Sequence, residues 1–305
     1  MDLHRLGLVS TRVHYFQLVA RHGSIRQTAR QLNIAPSSVS RVLKQLEDDL
    51  GAPLFQRVNQ RLKLTSAGEL LLYRARTSFS ELTRAHTEID DLQGLRRGTV
   101  AIAVIESVAR GLLPAVLEEF WQRYPSITVD TAIVTSQQAF AAVADAECDL
   151  AVAFDGRMPR KARRMAGVNL ELGAVVPPDH PFAGFTELRI SDLAGEDLVM
   201  SDSTLSLGPS IEEAIGSFSL DLRRRSRTNS IGLMVDLARR RLAVALQTRV
   251  GVEQEIADGS LVFVPLRDPK IKPRKLVLIS RGQGDVSEAA AVLARQLVGA
   301  LEGLQ

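Results

Sequence analysis

Residues 16–68, FQLVARHGSIRQTARQLNIAPSSVSRVLKQLEDDLGAPLFQRVNQRLKLTSAG, contain two short amphipathic helices, a tight turn between them and a basic hairpin. Ser24 and Gln27 have capping-box spacing, which predicts a helix that begins after Ser24 and carries Ile25, Ala29 and Leu32 on one face. Asn33 tolerates the left-handed conformation that ends such a helix. Pro36 suits the first turn of the next one, where its missing N–H would have gone unpaired. There Val39, Val42, Leu43 and Leu46 recur at the i, i+3, i+4, i+7 spacing of a buried stripe. Ser37, Arg41 and Lys44 project from the opposite side, with Ser40 and Gln45 on the flanks. Spacing alone fits two readings equally: a helical hairpin with a solvated face, or a helix that enters a major groove and brings an Arg to guanine. The hairpin favours the second. Residues 55–57 and 62–64 can pair across Asn59 and Gln60, which sets Arg57, Arg61 and Lys63 on a ribbon suited to phosphates.

These positions also carry a resemblance. Phe16, Gly23-Ser24, Thr28-Ala29, Leu32, Ser37 to Ser40, Leu46-Glu47, Leu50-Gly51, Leu54-Phe55, Arg57, Leu64-Thr65 and Ala67-Gly68 resemble, in this order, the N-terminal signature of LysR-type transcriptional regulators. The resemblance implies a winged helix-turn-helix with Ser37, Ser38, Ser40, Arg41, Lys44 and Gln45 toward bases and Arg57, Arg61 and Lys63 toward the backbone of double-stranded DNA, at a pseudo-palindromic operator. The family commonly has Gln or Ser where this chain has Pro36, so a side-chain contact often made there has no donor.

Outward from the reader, Ser66 and Glu69 repeat the capping-box spacing and predict a helix to about residue 94. Leu71, Ala75, Ser78, Leu82, Ala85, Ile89 and Leu92 alternate steps of four and three along it, the period of about 3.5 that marks a coiled-coil seam. The resemblance places a dimerising linker helix here and implies a homodimer, a homotetramer built from it, and RNA polymerase as a further partner. The expected domains are 1–65 for DNA reading, 66–97 for the linker and 98–305 for effector binding.

From Thr99 strands alternate with helices, which predicts parallel sheet with crossover helices. The strands fall at 100–104, 127–133, 149–154, 167–176, 198–200, 222–227, 242–246 and 274–280, and the helices at 112–124, 137–146, 209–218, 231–240 and 287–301. Two crossings make a two-lobed, periplasmic-binding-protein-like α/β clamshell, with lobe I at about 98–166 and 271–305 and lobe II at about 167–270. A ligand in such a fold sits where strand ends meet helix N-termini. Glu106 and Ser107, Ser136 and Gln137, Ser203 and Thr204, and Asn229 occupy such places. Each alone reads as a helix cap, and their convergence is what points to a small polar metabolite. Ser107 and Ser136 fall where the family commonly contacts its inducer. Where the family usually has a glycine turn this chain has Arg241, which predicts a turn built differently. The RMPRKARR run at 157–164 is expected to be a solvated loop at the first crossing, and Cys148 a structural thiol.

Composition agrees with that reading. Residues 1–98 hold 15 Lys and Arg against 9 Asp and Glu, while the remainder holds 23 against 26, so the cationic surplus lies in the proposed DNA reader. With 45% hydrophobic and 24% charged residues the chain is of the soluble globular class. Its longest apolar run stops at Glu106, far short of a bilayer span, and MDLHRL begins no apolar signal core. A cytoplasmic location is expected. One cysteine excludes an internal disulfide, and there is no zinc-spaced His/Cys cluster, GxSxG elbow or P-loop. The expectation is therefore a ligand-responsive transcription factor, not an enzyme, with no metal and no cofactor beyond a small co-inducer. The alternatives are a solute-binding protein or enzyme on the same clamshell, and an inducer-independent DNA binder.

Overall fold

The computed structural model describes residues 4, 6–58, 61–92, 98–202, 222–269, 271–282 and 286–304. The chain divides into two compact units, Met1–Leu95 and Arg96–Gln305.

In the first unit α1 (Thr11–His22) is capped by Ser10, whose Oγ accepts the Val13 N–H. In α2 (Ile25–Leu32) the Ser24 half of the expected box forms, with Ser24 Oγ accepting the Gln27 N–H at 3.3 Å. Thr28 Oγ1 donates to Ser24 O at 3.0 Å. Asn33 ends the helix at φ 54°, ψ 44°, and α3 (Pro36–Leu50) starts three residues later with Pro36 in its first turn. Phe16, Val19, Ala29, Val39, Leu43, Leu46, Leu54 and Leu72 form the buried core. Val42 is only half-buried, so the predicted stripe is narrower than its spacing suggests.

The wing pairs β1 (Phe55–Val58) with β2 (Arg61–Leu64) antiparallel, Phe55 opposite Leu64 and Arg57 opposite Leu62. Two short bonds set its angle on α3: Glu47 Oε1 accepts the Leu54 N–H at 2.7 Å and the Phe55 N–H at 3.2 Å. Thr65 Oγ1 donates to Pro53 O at 2.6 Å and accepts the Gly68 N–H at 3.1 Å. Thr65 therefore caps α4 (Ser66–Leu92), one residue before the Ser66 expected from sequence. Gly68 is required by proximity, because a Cβ there would lie 2.1 Å from Leu54 O. Of the predicted seam, Ala75 is buried and Leu71 packs on the first unit's own core, whereas Leu82 is half-buried and Ile89 is 54% exposed.

The second unit runs β3 (Gly98–Val104), α5 (Glu106–Arg110), α6 (Leu112–Arg123), β4 (Ile127–Ile133), α7 (Ser136–Ala144), β5 (Leu150–Phe154) and β6 (Ala162–Leu170). It continues with β7 (Leu172–Val176), β8 (Asp197–Ser201), β9 (Arg223–Thr228), α8 (Ile231–Arg239), β10 (Val244–Thr248), α9 (Glu253–Ala257) and β11 (Val262–Pro265), and closes with β12 (Arg274–Arg281) and α10 (Glu288–Glu302). One sheet has the order β4-β3-β5-β12-β6 and the other β9-β8-β10-β7-β11. The orders correspond strand for strand: three parallel strands, then one antiparallel strand that enters the sheet directly after a crossing between the lobes, then an edge strand.

This corrects three expectations. The sheets are mixed, because β12 and β7 run antiparallel to their neighbours. The predicted strand 167–176 is two strands in different sheets, since its apolar pattern runs on through the turn at Glu171. The first crossing is thus at Glu171, and residues 162–164 of the basic run already belong to β6, where Arg164 is bonded to both Asp155 oxygens at 2.7 Å. The predicted helix at 209–218 lies outside the described residues.

Arg241 keeps the backbone shape that a glycine would give, contrary to the expected rebuilding. Its φ is 57°, and its guanidinium holds Asp179, with Nη2 to Oδ2 at 2.7 Å.

Candidate functional site

On α3 the outward residues Ser37, Ser40, Arg41, Lys44 and Gln45 are exposed, and Ser38 is half-buried. An open groove of about 690 Å³ separates α3 from the wing, and Ser40, Lys44 and Arg57 all line it. The three wing cations do not form one row. In an antiparallel pair opposed residues share a face, so Arg57 lies on the side of Phe55, Leu62 and Leu64, which packs on the core, and Lys63 lies on the other with Gln56. Arg61 sits opposite Val58 in the ladder. Among the described residues Arg41, Lys44, Arg57 and Lys63 have no acidic partner, while Arg12, on α1, is ion-paired to Asp49. The reading surface therefore has cations available to an external polyanion.

In the second unit the strand order reverses at β3 and again at β8, the places where an open α/β sheet leaves a crevice at its carboxyl ends. Ser107 and Ser136 each stand three residues beyond a paired strand end, Val104 opposite Ile133. Both are buried. Ser136 Oγ accepts the Phe154 N–H at 3.2 Å, tying α7 to the end of β5. The cap of α7 is Thr135, in a complete box with Gln138, and Gln137 is exposed beside it. On the facing lobe Asn229 is exposed just before α8. Ser203 and Thr204 lie outside the described residues.

The lobes meet along α5. Glu106 Oε1 accepts the Ile231 N–H of the opposite lobe at 2.8 Å. Arg110 binds Glu255 through Nη1 to Oε2 at 3.0 Å and Nη2 to Oε1 at 2.6 Å, and it also donates to Gly251 O. Gly251 has φ 99°, and a Cβ on it would lie 3.1 Å from Ser107 Cα, so the second lobe closes over Ser107. The Arg110 hydrogen bond holds Glu255 below the usual carboxylate range. Burial pushes Glu253 up. At the end of β10, Thr248 Oγ1 and Gln247 Oε1 are buried with no hydrogen-bond partner among the described residues.

A family described as bacterial regulatory helix-turn-helix protein, lysR family, matches residues 10–69, and the LysR substrate binding domain matches residues 93–302. The chain belongs to the LysR family. Like its family, this LysR-type chain is a DNA-binding transcriptional regulator and not an enzyme. A probable nitrogen assimilation transcriptional activator of Synechococcus elongatus is 30% identical over 85% of this chain and 85% of its own. A full-length OxyR variant from Pseudomonas aeruginosa has the same fold, with a TM-score of 0.66 at 15% identity over 96% of this chain and 94% of that one. CbnR, solved in complex with its target DNA, gives 0.62 at 16% over 98% and 100%.

Of the residues that join the lobes of this LysR-type regulator, the sequence pointed to Glu106 and missed Arg110 and Glu255. Arg110 and Glu255 lie 145 positions apart, and nothing in either neighbourhood marks the pair. The signal for Thr248 was weak but present: a Gln-Thr pair at the end of an apolar strand. No helix among the described residues is long and apolar enough to cross a membrane, and no group of His, Cys, Asp or Glu among them is placed to hold a metal ion. Cys148 is buried and its thiol is pushed up to about 12, which suits a structural role.

Proposed function

We propose that this regulator reads a pseudo-palindromic operator with α3 in the major groove and the wing on the flanking backbone, as a homodimer paired through α4. The observation that carries this reading is the exposed set Ser37, Ser40, Arg41, Lys44 and Gln45, beside Arg57 and Lys63, which have no acidic partner among the described residues. Phosphates supply affinity and base edges supply specificity, and this surface has groups for both. Half-buried Leu82 and exposed Ile89 on α4 support pairing with a second copy, since an apolar seam of that period is stable only when covered. DNA as the partner supports a cytoplasmic location.

Control comes from a small polar metabolite held between the lobes at Ser107, Ser136 and the facing Asn229. Only a ligand with different affinity for two lobe arrangements can shift their populations, so contacts from both lobes are needed. Buried Thr248 Oγ1 and Gln247 Oε1 favour a wet or ligand-filled crevice, because such atoms rarely stay unpaired. The test is calorimetry with a metabolite found to alter operator binding. Ser107→Ala and Ser136→Ala should each weaken it by about 0.5–1.5 kcal/mol, with operator affinity in its absence unchanged. Undiminished affinity in the double variant would place the site elsewhere.

A further inference from the structure

Glu106 opens α5 at the carboxyl end of β3 on the first lobe, and Ile231 opens α8 on the second. Their 2.8 Å hydrogen bond puts a carboxylate at the amide end of a nine-residue helix. Two of the amides that follow Ile231 in α8 are already held. Ser230 Oγ accepts the Leu233 N–H at 3.3 Å, and Ser230 O accepts the Met234 N–H at 3.2 Å. A helix N-terminus carries about half a unit of positive charge and favours an anion. Here that anion is a side chain of the same chain, 125 residues away in sequence. Arg110 stands one turn further along α5 and is tied to Glu255 and Gly251 of the second lobe, so Glu106 is delivered from a helix fixed at its far end. The second carboxylate oxygen of Glu106 has no partner among the described residues.

We propose that Glu106 is a specificity-determining residue of the cleft. As a tethered carboxylate it fills the anion position of α8, so the effector meets this wall with an amine or other cationic group, paired to the second oxygen of Glu106. The inference rests on the reading of the cleft as the effector site. A carboxylate ligand would have to displace a group whose tether gives it a high effective concentration, and the displaced Glu106 would stay nearby as a like charge. A cation meets no such barrier.

Two probes test this on the full-length protein, with the Ile231 amide followed by NMR and hydrogen exchange. Glu106→Ala should speed exchange of that amide at least about tenfold, and sodium propionate should restore its protection. The wild type should not respond at propionate concentrations that saturate the variant, whereas methylammonium should shift the wild type and not Glu106→Gln, which keeps an acceptor but loses the charge. An Ile231 amide indifferent to Glu106→Ala, a variant that propionate does not restore, equal propionate response in the wild type, or a wild type blind to methylammonium would each overturn the proposal. Failure of every metabolite to alter operator binding would instead break the effector reading and leave the Ile231 result standing.

Discussion

On α3 and the wing, Arg41, Lys44, Arg57 and Lys63 stand exposed without an acidic partner among the described residues. At the lobe seam, Arg110 is bonded to Glu255 and Gly251 O, and Glu106 to the Ile231 N–H. The first set keeps its hydration and gains when it replaces counterions on a polyanion, which makes it a surface for a partner. In the second set Glu255 has lost its water: its side chain is only 5% exposed, and burial of an ion costs several kcal/mol unless its bonds offset the loss. Its charges act inward, as a tie between lobes. The two regions teach that the state of pairing, more than the number of charges, separates groups available to an external polyanion from groups that hold the fold; Glu106 belongs to the tie through the oxygen on the Ile231 N–H and is open to a ligand only through the other.

The largest effect should come from stranding one member of the tie. Arg110→Ala leaves the Glu255 carboxylate buried and unpaired and should cost about 3 kcal/mol in urea unfolding of the second unit. A loss below about 1 kcal/mol would show the pair to be solvent-screened and the comparison false. Acid titration sharpens the point. Glu255 is held below its ordinary value of 4.5, chiefly by the Arg110 hydrogen bond, so its contribution is complete above the unfolded value and disappears as pH falls through the folded one. The stability gap between wild type and Glu255→Gln should be flat from about pH 6 to 8 and close below about pH 4.5.

On the reading surface, Arg41→Ala should leave stability nearly unchanged and cost about 1–3 kcal/mol on a specific site, with relaxed preference at one base pair. Equal losses on operator and random duplex in a gel-shift titration would reduce Arg41 to a phosphate contact. A smaller effect serves as the control. Ala146, at the end of α7, has φ 56°, a left-handed conformation that favours glycine. Ala146→Gly should therefore raise stability by about 0.5–1 kcal/mol without touching either set of charges. A thermal scan that shows destabilisation would mean the Ala146 methyl is engaged in packing.

The reading unit was legible because its determinants are local. Asn33 and Pro36 act within one turn, the wing register follows from a two-residue gap, and the buried stripe of α3 is a matter of period. The misses there were small and had local causes: Thr65 took the cap expected of Ser66, and alternation across the ribbon divided Arg57 from Lys63. The cleft was legible only as a set of strand ends. β11, four residues long and closed by a proline, carries too little pattern to be read, and the continuous apolar alternation across Glu171 hid a change of sheet. Glu106 was singled out for its position, but its partner Ile231 offers only a backbone amide, a group every non-proline residue has. Arg241 shows the limit in another form. Its left-handed backbone belongs to the turn, and the residue type alone argued against it.

The most direct test of the central contrast is the salt dependence of binding to a random duplex, followed by fluorescence anisotropy. Replacing both Arg57 and Lys63 with Ala should flatten the slope of log affinity against log salt by about two units, since each phosphate contact contributes about 0.9, and Arg110→Ala should leave that slope where it is. An unchanged slope in the wing double variant, or an equal change in Arg110→Ala, would contradict the division between cations that face DNA and charges that tie the lobes.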